Sequence, residues 1–135
     1  MTSRTTKAGL MEHAVRRSVR HDEYCPLDTT LSILSGKWKS IILCRLMQGP
    51  LHFGEIRRSI PSCSKRALAM QLAELEQDRV ISKEIEADRM PVRTLYRLTD
   101  IGESLVPIIR QMDEWGRDYL QNSGYSQKAS SEAAS

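Results

Sequence analysis

The sequence predicts a mainly α fold with one small β-hairpin, an α+β arrangement, between residues 23 and 120. Two observations support this prediction. Apolar residues recur at the spacing of an amphipathic helix in a series of segments separated by Gly, Pro and Ser. Two short runs of alternating residues then precede a long final helical pattern. The predicted order is therefore a group of short helices, a hairpin and a long helix.

Glycine, proline and serine mark where the helices begin and end. Pro26 suits the first position of a helix, because its missing N–H would have no intrahelical partner there. Gly36, Gly49 and Pro61 stop successive helices, and Ser64 is a good N-cap for the next one. The predicted helices span residues 26–35, 37–47, 52–60, 65–78 and 99–120, with Thr99 as a cap and a kink at Pro107, and the predicted strands span residues 80–86 and 92–98.

Composition describes one ordinary globular domain with two dissimilar ends. Apolar residues make up 40% of the chain and charged residues 27%, and the strongest apolar stretch, residues 41–44, is far too short to cross a bilayer. Residues 1–22 form a basic arm, which is either partly helical or a solvated tail. Residues 121–135 are rich in Ser and Ala, which predicts a disordered tail. Because no secretory signal pattern occurs, we expect a cytoplasmic protein without membrane contact.

The helix over residues 65–78 has an unusual outward face. A solvated helix is normally covered with charges, but here Arg66 lies beside Ala69, Met70 and Ala73. Small side chains permit close approach to base edges, and apolar ones contact thymine methyl groups. The face predicts contact with double-stranded DNA, with Arg66 placed to read guanine. The same helix standing alone would more readily be an ordinary amphipathic surface.

The surroundings of that helix favour the DNA interpretation. Ser64 and Lys65, at its start, are suited to hold phosphate oxygens. The hairpin that follows has Arg89 at its tip and Arg93 on its second strand. A short helix pair followed by a two-stranded wing is a device for placing one helix in the major groove. The predicted architecture is therefore a winged helix-turn-helix. The net charge of +3 is compatible with DNA binding but does not argue for it.

From residue 25 to residue 116 the chain resembles the HxlR-type winged-helix transcriptional regulators of bacteria. Each matching piece is weak by itself, but their combination and order are specific. The matching residues are Cys25-Pro26, Gly36-Lys37-Trp38, Gly49-Pro50, Phe53, Arg57-Arg58, Pro61, Ser64, Arg66, Leu68, Gln71-Leu72, Glu74-Leu75-Glu76, Pro91, Arg93, Tyr96, Leu98-Thr99, Gly102 and Trp115-Gly116.

The resemblance implies a transcriptional regulator, expected to be a repressor, that binds a palindromic operator as a homodimer. Its recognition helices would enter successive major grooves, with the wings on the backbone or in the minor groove. Three positions depart from the family pattern. Arg79 stands where a glycine is usual, Leu95 where an acidic residue is common, and Cys63 where an aliphatic residue is usual. These departures leave the operator sequence unpredicted.

The last helix has an apolar stripe that predicts a dimer independently of the resemblance. The stripe is too wide for one core contact, so we expect part of it to meet a second subunit. Two-fold pairing is the commonest arrangement and would match a palindromic operator. The residues assigned to the dimer contact are Leu105, Ile108, Ile109, Met112 and Trp115.

Cys25 is the candidate regulatory residue. It precedes Pro26 and is therefore expected at a helix N-terminus, where the helix dipole favours a thiolate. In several members of the family that the chain resembles, a cysteine at this position senses oxidants or electrophiles, so the resemblance implies a thiol switch with an effector of that kind. The other interpretation, an inert thiol at a helix start, is equally open.

No pattern in the chain predicts catalysis. Gly36-Lys37 lacks the first glycine and the Ser or Thr of a phosphate-binding loop, and no nucleophile-elbow or zinc-protease motif occurs. The spacing of His13, His21 and Cys25 matches no standard metal site. We therefore predict no catalytic residue, metal or cofactor. His52 is expected to face solvent or to cap its helix.

Two other functions remain open at this point. The first is a regulator of the same fold that is gated by a small molecule bound between the long helix and the helix over residues 26–35. The second is a winged helix that binds proteins and not DNA. For that second function, Arg66, Arg89 and Arg93 would be dispensable.

Overall fold

The computed structural model describes residues 25–124, which form five helices and three strands. The arm predicted over residues 1–22 and the part of the predicted tail beyond residue 124 lie outside the described residues. The first two residues of that tail, Gln121 and Asn122, are predicted to be disordered but belong to the last helix. Each predicted helix and strand is present, with its ends within two residues of the predicted ones. In chain order the elements are α1 (Pro26–Leu34), α2 (Lys39–Leu46), β1 (Leu51–His52), α3 (Phe53–Ser59), α4 (Lys65–Gln77), β2 (Ile81–Glu86), β3 (Arg93–Leu98) and α5 (Asp100–Asn122).

The described chain divides within α5 into two compact units, residues 25–103 and residues 104–124. The first unit holds α1 to α4, the sheet and the first turn of α5. The second is the remainder of α5, which continues through Pro107 as one helix, so the kink there stays a prediction. Among the described residues, no helix is both long and apolar enough to cross a bilayer.

The three strands form an antiparallel sheet in the order β1-β3-β2. The sequence predicts only β2 and β3, the two strands of the hairpin. The additional strand β1 pairs Leu51 with Tyr96 and His52 with Leu95 of β3. The prediction that His52 begins the third helix is therefore wrong by one residue. Pairing with β3 holds its backbone extended, so His52 ends a strand and caps α3.

The core of the first unit consists of the inward faces of α2, α3 and α4 and the start of β2. The fourth helix contributes three leucines to it, Leu68, Leu72 and Leu75. The most deeply buried apolar residues are Ile42, Leu43, Leu46, Ile56, Ile60, Leu68, Leu72, Leu75, Val80 and Ile81.

Helix α4 ends in a Schellman motif, which turns the chain into the hairpin. The Arg79 N–H donates to the Glu76 carbonyl oxygen at 3.0 Å, and the Val80 N–H donates to the Leu75 carbonyl oxygen at 3.2 Å. Arg79 has a φ of 66°, the left-handed conformation that the motif requires at this position. Leu75 and Val80 are both fully buried, and the motif usually has an apolar contact between residues at these two positions.

The start of α5 is tied to the same turn. The Thr99 hydroxyl oxygen accepts from the Gly102 N–H at 3.1 Å, which confirms Thr99 as the cap, and the hydroxyl donates to the Arg79 carbonyl oxygen at 2.6 Å. A Cβ at position 102 would collide with the Val80 carbonyl oxygen, so the close approach requires glycine. The end of α4, the base of the hairpin and the start of α5 therefore meet at one point.

We expect Arg79→Gly to raise the free energy of unfolding by about 0.5–1 kcal/mol. A non-glycine residue in the left-handed conformation costs roughly 1–2 kcal/mol, and part of the gain is lost because glycine has more freedom in the unfolded chain. Urea unfolding followed by circular dichroism measures the change. Arg79→Ala is the matched control, since it removes the same charge and keeps the strain. Equal stabilisation by both variants would contradict this explanation.

Candidate nucleic-acid interface

The outward face of α4 is exposed along its whole length. Met70 is 54% exposed, which is high for a large apolar side chain. The face is basic at the N-terminal end of the helix and consists of small or apolar residues further along. The predicted DNA-contacting residues at the start of α4 and on this face are all exposed: Ser64, Lys65, Arg66, Ala69, Met70 and Ala73.

The burial of the opposite face determines which side of α4 points outward. Leu68, Leu72 and Leu75 lie at positions i, i+4 and i+7, and each is at most 1% exposed. Turning the helix by one residue, about 100°, would bring a leucine to the surface and a polar side chain into the core. The packing therefore holds the outward face in one orientation.

An ion pair joins α4 to α2. The Lys39 ammonium lies 2.5 Å from a carboxylate oxygen of Glu74, and the lysine side chain is only 2% exposed whereas that of the glutamate is 42% exposed. A lysine is seldom buried unless it is paired. The pair therefore fixes the position of α4 on α2, in addition to the apolar contacts.

The N-terminal end of α4 is capped as predicted. The Ser64 hydroxyl oxygen accepts from the Ala67 N–H at 3.0 Å. That bond uses an oxygen lone pair and not the hydroxyl hydrogen, so Ser64 can cap the helix and also donate to a phosphate oxygen. Cys63, which precedes it, is buried, and burial raises the pKa of its thiol. Cys63 is therefore a packing residue of the turn.

The hairpin presents its two predicted wing arginines in different settings. Arg89, at the tip, has a side chain that is 53% exposed, with Nη1 3.9 Å from Oε1 of Glu86. Arg93, the first residue of β3, is half-buried, and its Nη2 lies 3.5 Å from Nδ1 of His52. Arg89 is thus presented to solvent, while Arg93 lies among other charged side chains.

His52 belongs to this region although the sequence does not assign it there. Its imidazole lies between two carboxylates, with Nδ1 2.8 Å from Oε1 of Glu55 and Nε2 2.8 Å from Oε1 of Glu86. Its backbone N–H also donates to Glu55 at 2.8 Å, so the predicted capping role is present. Glu86 is 34 residues away along the chain, and no local signal indicates that contact.

All three cysteines of the chain lie within the described residues. Cys25 is exposed at the N-cap of α1, Cys44 is half-buried in α2, and Cys63 is buried. Cys25 is therefore the most accessible thiol. Among residues 25–124 no three His, Cys, Asp or Glu side chains are grouped as metal ligands, and His13 and His21 lie outside the described part.

The second unit exposes large apolar side chains along one line of α5. Trp115 is 68% exposed and stacks on Tyr119, with 5.4 Å between the ring centroids. Of the other predicted dimer residues, Leu105 is half-buried and Ile109 is already buried in the single chain. The exposed members of the line are Ile108, Met112, Trp115 and Tyr119.

The helices and the hairpin together form a helix-turn-helix followed by a wing, and a comparison with known families agrees with this arrangement. Residues 33–124 match the HxlR-like helix-turn-helix family. The chain belongs to this family. The resemblance inferred from the sequence motifs is confirmed, and the protein is a winged-helix member of a family of helix-turn-helix transcriptional regulators.

Several relatives of known sequence or structure support the assignment. The uncharacterized HTH-type transcriptional regulator YdeP of Bacillus subtilis (strain 168) is 43% identical over 97 residues, 72% of this chain and 75% of that protein. The redox regulator HypR in its reduced form has a TM-score of 0.67 and 40% identity, over 73% of this chain and 99% of that one. Quinone-bound YodB from B. subtilis has a TM-score of 0.61 and 32% identity, over 70% of this chain and 98% of that one.

The structure accounts for two of the three departures from the HxlR-type sequence pattern, and nothing in it explains the third, Leu95. Arg79 occupies a left-handed position, which is the reason that glycine suits it. Cys63 fills a buried site that would suit an aliphatic side chain. Leu95 is half-buried in the middle strand, opposite both His52 and Glu84, and the strand keeps a regular register there.

Arg66→Ala is expected to reduce the discrimination between operator and random DNA by about 1–3 kcal/mol, because the bidentate contact to guanine predicted for Arg66 would be absent. Arg89→Ala is expected to weaken binding to both DNAs equally and to lower the salt dependence, since a phosphate contact has no sequence preference. Fluorescence anisotropy with both DNAs over a salt series measures each effect. Equal losses on the two DNAs for Arg66→Ala would refute its role in reading bases.

Proposed function

We propose that this protein is a repressor that binds a palindromic operator as a homodimer and is switched by oxidants or electrophiles at Cys25. The observation that supports DNA binding most directly is the exposed face of α4, where Arg66 stands beside small and apolar side chains near the capped start of the helix. Such a protein acts on chromosomal DNA and therefore works in the cytoplasm.

Recognition would divide into contacts to phosphates and contacts to bases. Ser64 and Lys65 bind phosphate oxygens at the rim of the major groove, which orients α4 without reading sequence. Arg66 donates two hydrogen bonds to O6 and N7 of a guanine. The remaining proposed contacts are those of Ala69, Met70 and Ala73 to base edges and thymine methyl groups, and those of Arg89 and Arg93 to the backbone or the minor groove.

The apolar line on α5 supports the homodimer. A contiguous row of large exposed apolar side chains is typical of a surface that meets another protein. A two-fold dimer would also place two copies of α4 on the two halves of a palindromic site. Of the five residues predicted for the contact, the exposed Ile108, Met112 and Trp115 and the half-buried Leu105 can meet a partner, whereas Ile109 is buried within the single chain.

Met112→Glu is expected to convert the dimer into a monomer, because the interface would bury a carboxylate without a partner. Gln111→Glu is the matched control, since it adds the same charge at the adjacent exposed position off the apolar line. Sedimentation equilibrium should give about twice the chain mass of 15.4 kDa for the wild type and the control, and one chain mass for Met112→Glu. A monomeric wild type at concentrations that bind operator would overturn the dimer.

Two observations support Cys25 as the switch. It is the most accessible thiol of the chain, and it lies at the N-terminus of α1, where oxidants and electrophiles can reach it. The related HypR is described as a redox regulator, and YodB has been solved with bound quinone. An oxidant that takes two electrons and two protons from the Cys25 thiols of two subunits would join them in a disulfide, and an electrophile would instead add to the Cys25 sulfur; either change would alter DNA binding.

The test is binding to the DNA upstream of the protein's own gene over a salt series, with and without diamide, which oxidises two thiols to a disulfide. We expect specific, salt-sensitive binding that diamide abolishes and dithiothreitol restores. Cys25→Ser should bind DNA and ignore diamide, whereas Cys63→Ala, which removes a buried thiol, should keep the response.

A diamide response that persists in Cys25→Ser would exclude the switch at this residue and leave DNA binding in place. Specific binding that diamide does not affect would favour a small-molecule effector of the same fold. Failure to bind any sequence in a selection from random DNA would overturn the proposed function and favour a protein-binding winged helix.

A further inference from the structure

The sheet brings charged side chains from separate elements onto one face near the tip of the wing. Glu86 of β2 pairs with Arg93 of β3, and His52 of β1 pairs with Leu95, which is two residues from Arg93 and therefore on the same face. On this face the imidazole of His52 contacts Glu55, at the start of α3, through Nδ1 and Glu86, beside the hairpin tip, through Nε2. Its side chain is only 20% exposed. It therefore links the hairpin to the helix-turn-helix.

With both carboxylates ionised, only a protonated imidazole satisfies both short contacts of His52 as hydrogen bonds. A neutral ring has a single N–H and can donate to one carboxylate only, whereas the protonated ring donates to both Glu55 and Glu86. The Arg93 Nη2 atom lies 3.5 Å from Nδ1, where a neutral ring could accept from it, but this distance is at the limit of a hydrogen bond. The contact of Nδ1 with Glu55 is 2.8 Å, so the shorter distance places an N–H on Nδ1 as well as on Nε2.

The charges around His52 link the protonation of its imidazole to the binding of DNA. The groups that face His52 are the Glu55 and Glu86 carboxylates and the Arg93 guanidinium, and Arg89 lies 3.9 Å from Glu86. If the side chains of Arg89 and Arg93 move to contact DNA phosphates, Glu55 and Glu86 lose their positively charged neighbours. The two carboxylates then lie near the negatively charged DNA. A neutral His52 would leave these carboxylates to retain the arginines and repel the phosphates. A protonated His52 neutralises them, so proton uptake and phosphate contact favour each other.

The surroundings of Glu55 favour its charged form. The pKa of the Glu55 carboxyl is held below its ordinary value, first by the hydrogen bond from the His52 backbone N–H and then by the His52 side chain. Both carboxylates have an N–H donor when the imidazole is protonated, and one of them loses its donor when the imidazole is neutral.

We propose that His52 is a positioning residue whose protonation neutralises Glu55 and Glu86 and releases Arg89 and Arg93 for DNA. Operator affinity is then highest where the imidazole is protonated and falls as the pH rises through its titration. This inference rests on the proposed DNA-binding function.

Operator affinity is measured between about pH 6 and 8 in dithiothreitol, in a parent protein in which His13 and His21 are replaced by glutamine and His52 is the one remaining histidine. We expect the affinity of this parent to fall about fivefold across the range. His52→Gln should bind weakly at every pH, and His52→Arg, whose charge does not titrate, should bind tightly at every pH.

Glu86→Gln is the second variant, because it removes one carboxylate without removing a cation. It should also make operator affinity less dependent on pH. Circular dichroism establishes that each variant is folded. In the parent, NMR of the His52 ring should show a titration midpoint that moves to higher pH when operator is added, and this measurement needs no variant of His52.

The outcomes separate this inference from the function on which it rests. If His52→Gln loses affinity with pH as steeply as the parent, or if operator leaves the His52 midpoint unchanged or lowers it, the proposal is overturned while DNA binding stands. Absence of specific DNA binding at every pH would overturn the proposed function and this proposal together.

Discussion

The burial of one face of α4 is the constraint on which the rest of the structure depends. Burying a leucine side chain contributes about 1.5–3 kcal/mol, and Leu68, Leu72 and Leu75 are all buried, so the helix cannot turn about its axis without a large loss. The pair of Lys39 with Glu74 holds the same helix from α2. The face that includes Arg66 is therefore directed outward before any partner binds, which lowers the ordering cost of recognition.

The wing is held at both of its ends, and this follows from contacts outside the hairpin. A two-stranded hairpin is at best marginally stable in water. At its base, the Thr99 hydroxyl binds the carbonyl of Arg79, at the turn where α4 ends. Near its tip, Glu86 contacts the imidazole of His52, which β1 and the start of α3 hold in place. The direction of the wing relative to α4 is therefore set by neighbouring elements, and the contact near the tip is made by a titratable group.

The elements that sequence reasoning located correctly are those whose signals are local. Ser64 and Thr99 cap helices through bonds to residues three positions ahead, so the pattern is contained in a few adjacent residues. Strand β1 has only two residues, too few for any alternation, and it exists because β3 pairs with it. The resemblance to HxlR-type proteins identified Arg79 as unusual, but the reason, a left-handed backbone, is visible only in the folded chain.

The sequence by itself determined the family, the order of the elements and the set of residues on the outward face of α4, because periodicity, capping and motif order are properties of neighbouring residues. The tertiary structure decided which polar groups meet. It placed Lys39 in the core beside Glu74, left Cys25 accessible while burying Cys63, and set His52 between two carboxylates. The contacts of Lys39 with Glu74 and of His52 with Glu86 join residues 35 and 34 positions apart, and their strength depends on burial and distance, which exist only after the helices and strands have packed.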